Sequence, residues 1–576
     1  MRFTKFSKFA AVLIAVTMIL SLTSCGGGNT ASSTQNASAA AASTQVQTET
    51  TAKAPEPFGK YDPAITVTAV KGLSDIVQKA VAKQADVIQN NIWSAAYEKD
   101  LGIKVDYLWT TNGGWATTQY EQKLNVAISA NDLPDIIPSN QRQLKLLVDS
   151  GVAADMTQIF KDYAAPFTME MMEADNNTSL NQATFDGKLM ALPGVAGNID
   201  NASMIWIRAD WLKNLNMQAP KTMTDLLKIS EAFTKNDPDK NGKNDTYGLG
   251  LEKGLFGAYA DLDGFMEGYH AYANNNNGWI NDASGKLVYG GIQPEVKTAL
   301  AQLAAMYKDG QIDKEFAVKD GTKVAETIVS GKVGIVFGQH WLPFWPFQDC
   351  KNKDPNSDWK AYPIVSIDDK SGKPMINGSA TLFFVINKNM KNPEAAVKLY
   401  NYYYAKDPAL SKDYDAKFHG LNGEQETVPG QNWEMAVITS FYPLQNVYIH
   451  RGVKKYFVDN DETMLDNAWV KDNIRQIKDY QAGDIKLWST FAWSGIEGGE
   501  SINDYYDVNK LFQQNAYIKA DTQSMTEKGA TLKQIRDEAF TKIIMGTAPI
   551  TEFDTYVDKW HKLGGDDITA EVNAAK

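Results

Sequence analysis

Residues 104–151 read KVDYLWTTNGGWATTQYEQKLNVAISANDLPDIIPSNQRQLKLLVDSG, and this stretch decides the fold. Lys104 to Trp109 has the β-branched, aromatic and alternating character of a strand. Tyr120 to Ser129 and Gln143 to Ser150 carry apolar residues at helical spacing. Leu133 to Ile137 between them is a short apolar run, the signature of a buried strand. Strand and helix therefore alternate, which predicts an α/β fold with a parallel sheet. The pattern extends upstream, to a strand at Ile65 to Val70 and an amphipathic helix from Ile76 to Tyr97. Downstream, strands are expected at 204–208, 332–337 and 381–387, with helices at 209–215, from Thr222 and from Asn392. The last third reads as mainly helical. In open α/β sheets ligands bind beyond the carboxyl ends of strands, which places Thr110 to Trp115 and Pro138 to Asn140 on a candidate rim.

The 576 residues carry 57 Lys+Arg against 69 Asp+Glu, a formal charge of −12. A nucleic-acid partner needs a basic face, and no long basic run occurs outside the first residues. Cys25 and Cys350 are the two cysteines, too few for a zinc cluster or a disulfide framework. The histidines at 270, 340, 419, 450 and 561 show no HExxH spacing, and neither a GxSxG elbow nor a phosphate loop is present.

The first residues read as a targeting segment. Arg2, Lys5 and Lys8 precede an apolar run from Phe9 to Leu22, too short for a comfortable membrane span. It ends in Leu22-Thr23-Ser24-Cys25, which resembles the processing site of bacterial lipoproteins. Residues 1–24 are thus expected to be a signal peptide, with Cys25 carrying lipid. Residues 26–54 are rich in Gly, Ser, Ala, Thr and Gln and read as a tether. The expected location is the outer face of the cell membrane, held by lipid.

Several blocks, in order, carry a family resemblance: NDLPDII (131–137), DGKLMALPG (186–194), MIWIRADWLKNL (204–215), PKTMTDLLKISEAF (220–233), DPDKNGKNDTYGL (237–249), GKVGIVFGQHW (331–341) and FTKIIMGTAPITEFDTYVDKWHKLGG (540–565). The chain resembles the extracellular solute-binding protein family 1 lipoproteins, particularly the large oligosaccharide-type members. That resemblance implies a two-lobed, periplasmic-binding-protein-like (type II) fold with hinge-linked, discontinuous lobes. It also implies a monomeric binding subunit, without enzymatic activity, that captures an oligosaccharide and delivers it to the permease subunits of an ABC importer. The expected organisation is a lipidated cysteine and linker over 25–58, one lobe from 59–200 with 378–440, and a second from 201–377 with 441–576.

The loop Asp237-Pro-Asp-Lys-Asn241-Gly-Lys-Asn-Asp245 sets oxygen donors at alternate positions with glycine at the sixth, the spacing of a calcium loop. Asp237, Asp239, Asn241 and Asp245 would offer side-chain oxygens and Lys243 its carbonyl. Gly248 stands where the bidentate glutamate belongs, so a structural calcium is expected rather than a switching one; the alternative is a metal-free surface turn.

The chain holds 14 Trp, and 11% of its residues are aromatic. Sugars offer apolar C–H faces to rings, although many rings are simply core. Trp341 and Trp345 follow a glycine-flanked strand and are the leading stacking candidates, with His340 beside them. Trp115 and Trp493 come next and Trp279 after them, whereas Trp206 reads as core. Asn140, Arg142 and Glu497 are candidates for hydrogen bonds to sugar hydroxyls. The rival readings are a lipid-anchored glycan-active enzyme, for which Glu497 and Glu500 are nominal acids, and a non-transporting sugar receptor.

Overall fold

The computed structural model describes residues 54–113, 118–257, 259–273, 278–407, 416–418 and 432–575. Cys25, the expected signal peptide and Trp115 lie outside them. Residues 55–576 form one compact unit. Along the chain, its two main sheets are built from β1 (Ile65–Leu73), β2 (Ile103–Asn112), β3 (Ile136–Ser139), β4 (Leu192–Val195), β5 (Met204–Arg208), β6 (Tyr247–Leu249), β7 (Val333–Gly338), β8 (Trp359–Tyr362) and β9 (Ala380–Ile386). The first sheet has the order β2-β1-β3-β9-β4, and the second β8-β5-β7-β6.

Both sheets are mixed. β1 pairs in parallel with β2 and β3, as the strand–helix alternation requires, but β9 runs antiparallel to β3 and β4. β9 enters the first sheet from the other lobe instead of through a strand–helix–strand unit, so nothing constrains it to be parallel. In the second sheet β7 is antiparallel to β5 and parallel to β6. All six residues of β7, VGIVFG, are buried. Each fully buried Ile, Val or Phe side chain contributes roughly 1.5–3 kcal/mol.

Local signals set the helices. In α1 (Asp75–Lys83) the helix stops well short of Tyr97. A new short helix starts at Ile92 because Asn91 accepts hydrogen bonds from the N–H groups of Trp93 and Ser94, while its own N–H donates to the Ser94 hydroxyl. The expected single helix over 76–97 is therefore broken by a reciprocal cap. α2 (Thr118–Ala130) and α3 (Gln141–Asp149) follow, the latter capped by Asn140. α4 (Met223–Lys235) opens on the Thr222/Asp225 pair with both capping bonds formed. The helical last part includes α5 (Trp488–Ser494), α6 (Gly499–Asn509) and α7 (Gln523–Ile544).

Each sheet has its own core. The first draws on residues 67–195 and 380–438; those around the second draw on 199–376 and 447–572. The fold is thus two-lobed, and the chain passes between lobes three times. The passages are stitched together: Ala196 N–H donates to Ser379 O (2.8 Å), Phe441 N–H to Val195 O (2.9 Å), and Val195 N–H to the Ser440 hydroxyl (2.9 Å). Cys350 is buried, and burial pushes its thiol up to about 12, which keeps it protonated and inert.

Candidate functional site

β7 delivers its carboxyl end to the segment Gln339–Phe347. Trp341 is half-buried and donates its indole N–H to the Gln339 side chain (2.7 Å). Trp345 is 39% exposed. The two rings are nearly parallel, 10° apart in plane with centroids 6.5 Å apart. Tyr259 stands edge-on to both, at 6.1 Å from Trp341 and 5.2 Å from Trp345, and its hydroxyl donates to Gly321 O. Phe344, exposed beside them, packs on Trp493 from α5 at 5.4 Å. Trp341, Trp345 and Tyr259 thus form a platform, partly open to solvent, beyond a strand's carboxyl end, and Phe344 and Trp493 form a second aromatic pair.

Against Trp493 lies a largely buried polar cluster. His340 is 7% exposed and Glu500, in the first turn of α6, is fully buried. His340 Nδ1 pairs with Glu500 Oε1, and the Trp493 indole N–H points at both, 2.8 Å from the former and 3.0 Å from the latter. Asp200, from the first passage between lobes, completes the group; one donor atom from each of the three residues lies within 4.8 Å of the others. Asn446 donates to Asp200 (2.9 Å). Burial works against a charge on His340, but Glu500 and Asp200 outweigh it and lift its pKa to about 9. Burial, reinforced by Glu500 and opposed by His340, raises Asp200 to about 7. Asp200–His340–Glu500 is thus a charge-coupled cluster packed against Trp493.

In the first lobe, a cavity of about 230 Å³ opens at the carboxyl ends of β1 and β3, lined by Lys71, Pro138, Phe384, Trp433 and Glu434 among others. Lys71 donates to Ala436 O (2.7 Å). Burial lowers its pKa to about 8, with Glu434 pulling the other way.

The remaining sequence candidates fall elsewhere. Asn140 is engaged as the cap of α3 and donates to Glu121 (2.7 Å), which also pairs with Arg142 (3.2 Å). Glu497 is exposed and pairs with Lys360 (2.8 Å). Trp279 is core, packed between Tyr289 and Tyr517, and so is Trp206. Tyr259, Asp200, Lys71 and Trp433 carry no local motif that would have marked them, whereas Phe344 shares the post-strand segment of Trp341 and Trp345.

The acidic loop lies between α4 and β6. The Asp237 carboxylate accepts from the N–H groups of Asn241 and Gly242 (both 3.0 Å), and Asp237 and Gly242 have φ of 47° and 79°. The Asn241 amide donates to Asp239 (2.7 Å) and Asp245 (3.2 Å). Burial and the neighbouring Asp237 raise Asp239. Asn241 and Lys332, 3.5 Å away, hold Asp245 low. Two carboxylates, Asp239 and Asp245, therefore converge on the Asn241 carboxamide, while Asp237 closes on the backbone of the same loop. This hard-oxygen set fits a calcium ion.

These features define a solute-binding protein, and the comparisons agree. Residues 73–409 match the family model described as bacterial extracellular solute-binding protein. The chain belongs to that family. Among curated proteins it is similar to the polygalacturonan/rhamnogalacturonan-binding protein YtcQ of Bacillus subtilis strain 168, 26% identical across 83% of this chain and 86% of that protein. It is also similar to lipoprotein LipO of the same organism, 25% identical across 83% and 87%. Among solved structures it resembles the Streptococcus pneumoniae ABC-transporter substrate-binding protein FusA with kestose, at a TM-score of 0.56 and 17% identity over 89% of this chain and 98% of that one. FusA has also been solved as an EF-hand mutant (TM-score 0.55, 17% identity, 89% and 98% coverage). No helix among the described residues is long and apolar enough to cross a membrane.

Proposed function

We propose that this chain is the lipid-anchored binding subunit of an ABC importer, and that it captures an oligosaccharide on the Trp341–Trp345 platform. The observation that carries the reading is the near-parallel, partly exposed pair of indoles with Tyr259 edge-on, in a chain of solute-binding family. Parallel rings at that spacing offer apolar faces to successive sugar units. The support is the chemistry of the rings together with relatives named for glycans: YtcQ for pectic polymers, and FusA solved with kestose. In this reading the first lobe (59–200 with 378–440) contributes Lys71 and Trp433. The second (201–377 with 441–576) contributes the platform. The stitched passages between them serve as the hinge. His340 steadies Trp493, and Trp115, Trp493, Asn140, Arg142 and Glu497 remain candidates for the surrounding contacts.

Calorimetry with a panel of oligosaccharides tests this. Binding of at least one glycan, lost or weakened in Trp341→Ala and Trp345→Ala, supports it; binding of peptides alone refutes the solute class. Return of the bound glycan intact after incubation separates binder from hydrolase, and co-purification of the chain with a permease pair separates an importer subunit from a free-standing receptor.

The anchor in this reading is Cys25, and LipO is a relative named as a lipoprotein. Fatty-acid labelling of wild type and Cys25→Ser checks it: label retained on the variant places the lipid elsewhere. A calcium ion would be held by Asp237, Asp239, Asn241, Asp245 and the Lys243 carbonyl. It would neutralise the three carboxylates and fix the turn between α4 and β6.

A further inference from the structure

Trp341 and Trp345 can serve two successive sugar units only if the two rings keep their relative pose. Their shared contact outside their own segment is Tyr259. Among the described residues it is the one other ring that meets both, with its centroid 6.1 Å from Trp341 and 5.2 Å from Trp345. Both contacts are T-shaped, at 71° and 76°, a directional geometry that aromatic pairs prefer. A shift of the tyrosine ring would therefore move both indoles at once.

Tyr259 is itself fixed at both ends. Its backbone bridges antiparallel to Gly338, at the end of β7. The next N–H, that of Ala260, donates to Phe337 O (2.8 Å), and Ala260 O accepts from the Glu252 N–H (2.8 Å). Ala260 has φ of 49°, the left-handed region that a residue with a Cβ enters at a cost. The backbone beside Tyr259 is thus held in a strained form by hydrogen bonds. At the far end the Tyr259 hydroxyl donates to Gly321 O, where the helix Gly321–Val329 begins. Burial, with the carboxylates of Glu252 and Asp320, raises the pKa of this hydroxyl, so it stays a protonated donor. A methyl at Gly321 would stand 3.1 Å from it, which leaves the ring no slack. The ring is 8% exposed, so it offers a solute little surface of its own. Its place is that of a strut between the end of β7 and that helix.

From this arrangement, and resting on the platform reading above, we infer that Tyr259 is the positioning residue of the solute site: it holds the two indoles in one pose so that they engage two adjacent sugar units together, and so sets two units as the shortest solute that binds well. The test uses the full-length chain in detergent, with calorimetry on gluco-, xylo-, galacto- and fructo-saccharides of one to four units. In wild type, affinity should step up about fivefold or more from one unit to two. Tyr259→Leu should remove that step while single-sugar affinity stays within about twofold, and Trp345→Ala should add less than about twofold in its background, since coupled residues are not additive. Tyr259→Phe keeps the ring and loses only the Gly321 anchor, so it should retain part of the step; it also decides the matter if the Leu variant does not fold. Fluorine NMR of fluorotryptophan-labelled chain reads the rings without a solute, with Trp341→Phe and Trp345→Phe assigning the two signals. Those two should shift or broaden in the Tyr259 variants while the other indole signals stay. An intact step in Tyr259→Leu, or unchanged signals for Trp341 and Trp345, overturns the inference. If no glycan binds wild type, the platform reading falls and the role in solute binding with it, whereas a step that persists in Tyr259→Leu and is lost in Trp345→Ala overturns the inference and leaves the platform standing.

Discussion

Trp345→Ala separates a binding ring from a structural one. Trp345 keeps 39% of its surface exposed and touches Tyr259 edge-on at 5.2 Å, whereas Trp206 is fully buried against Phe347 at 5.5 Å. Truncating a buried Trp costs about 3–5 kcal/mol, because transfer and cavity terms add. Trp345 leaves mainly an open surface, so its loss should cost about 1 kcal/mol, of the order of one aromatic pair. In a chain of this size that is a melting shift of about 2 °C or less. On the binding side, removing a stacking ring should cost about 1–2 kcal/mol, or roughly 5–30-fold in Kd. The assay is titration of the best glycan from the panel into wild type, Trp345→Ala and Trp206→Ala, with differential scanning calorimetry on all three. The reasoning is refuted if Trp345→Ala melts as early as Trp206→Ala, or if it binds the glycan with unchanged affinity.

Other perturbations probe separate parts of the molecule. His340 is held above its ordinary 6.5, at about 9, so its contribution to stability is complete below pH 6.5 and is lost as pH rises toward 9. Urea midpoints of wild type should fall across that window, and those of His340→Gln should start lower and stay flatter. A methyl added at Gly334 would meet Phe233 at 2.2 Å and Trp211 at 2.8 Å, so Gly334→Ala should destabilise by about 1–3 kcal/mol through overpacking, read as a lower urea midpoint. Calcium should raise the melting temperature by mass action on the folded state, and chelator should reverse it. Asp239→Ala should blunt the response, and an unchanged melting curve together with no calcium by elemental analysis removes the metal from the loop.

Much of this architecture was legible because it is local. Strand 204–208 stands where the alternation put it, and the Thr222/Asp225 cap forms as its spacing implies. The neighbouring Trp341 and Trp345 were readable because they follow a strand directly. What stayed hidden is what tertiary structure brings together. Asp200, His340 and Glu500 come from segments 140 and more residues apart, and no periodicity links them. Tyr259 reaches the two indoles from a different stretch of chain, and Trp279 is core because Tyr289 and the distant Tyr517 both pack on it. The direction of β9 was equally invisible, since an isolated apolar strand carries no mark of its partner's orientation. The split of the 76–97 helix was readable in principle, from Asn91 and Ser94, but the apolar spacing across it continued without interruption.

The position of β9 governs the order in which the molecule can assemble. It lies between β3 and β4 in the first sheet, yet it follows β4 by some 180 residues of chain. A nascent polypeptide that has emerged only as far as residue 376 therefore has a gap in the middle of that sheet, with β4 separated from β3 and the edges that both turn to β9 unpaired. Loop closure on this scale slows folding. The first sheet is held incomplete until these distant residues arrive. A chain truncated at 376 should expose apolar surface to a reporter dye such as ANS, and supplying residues 377–445 in trans should quench that signal as β9 takes its place.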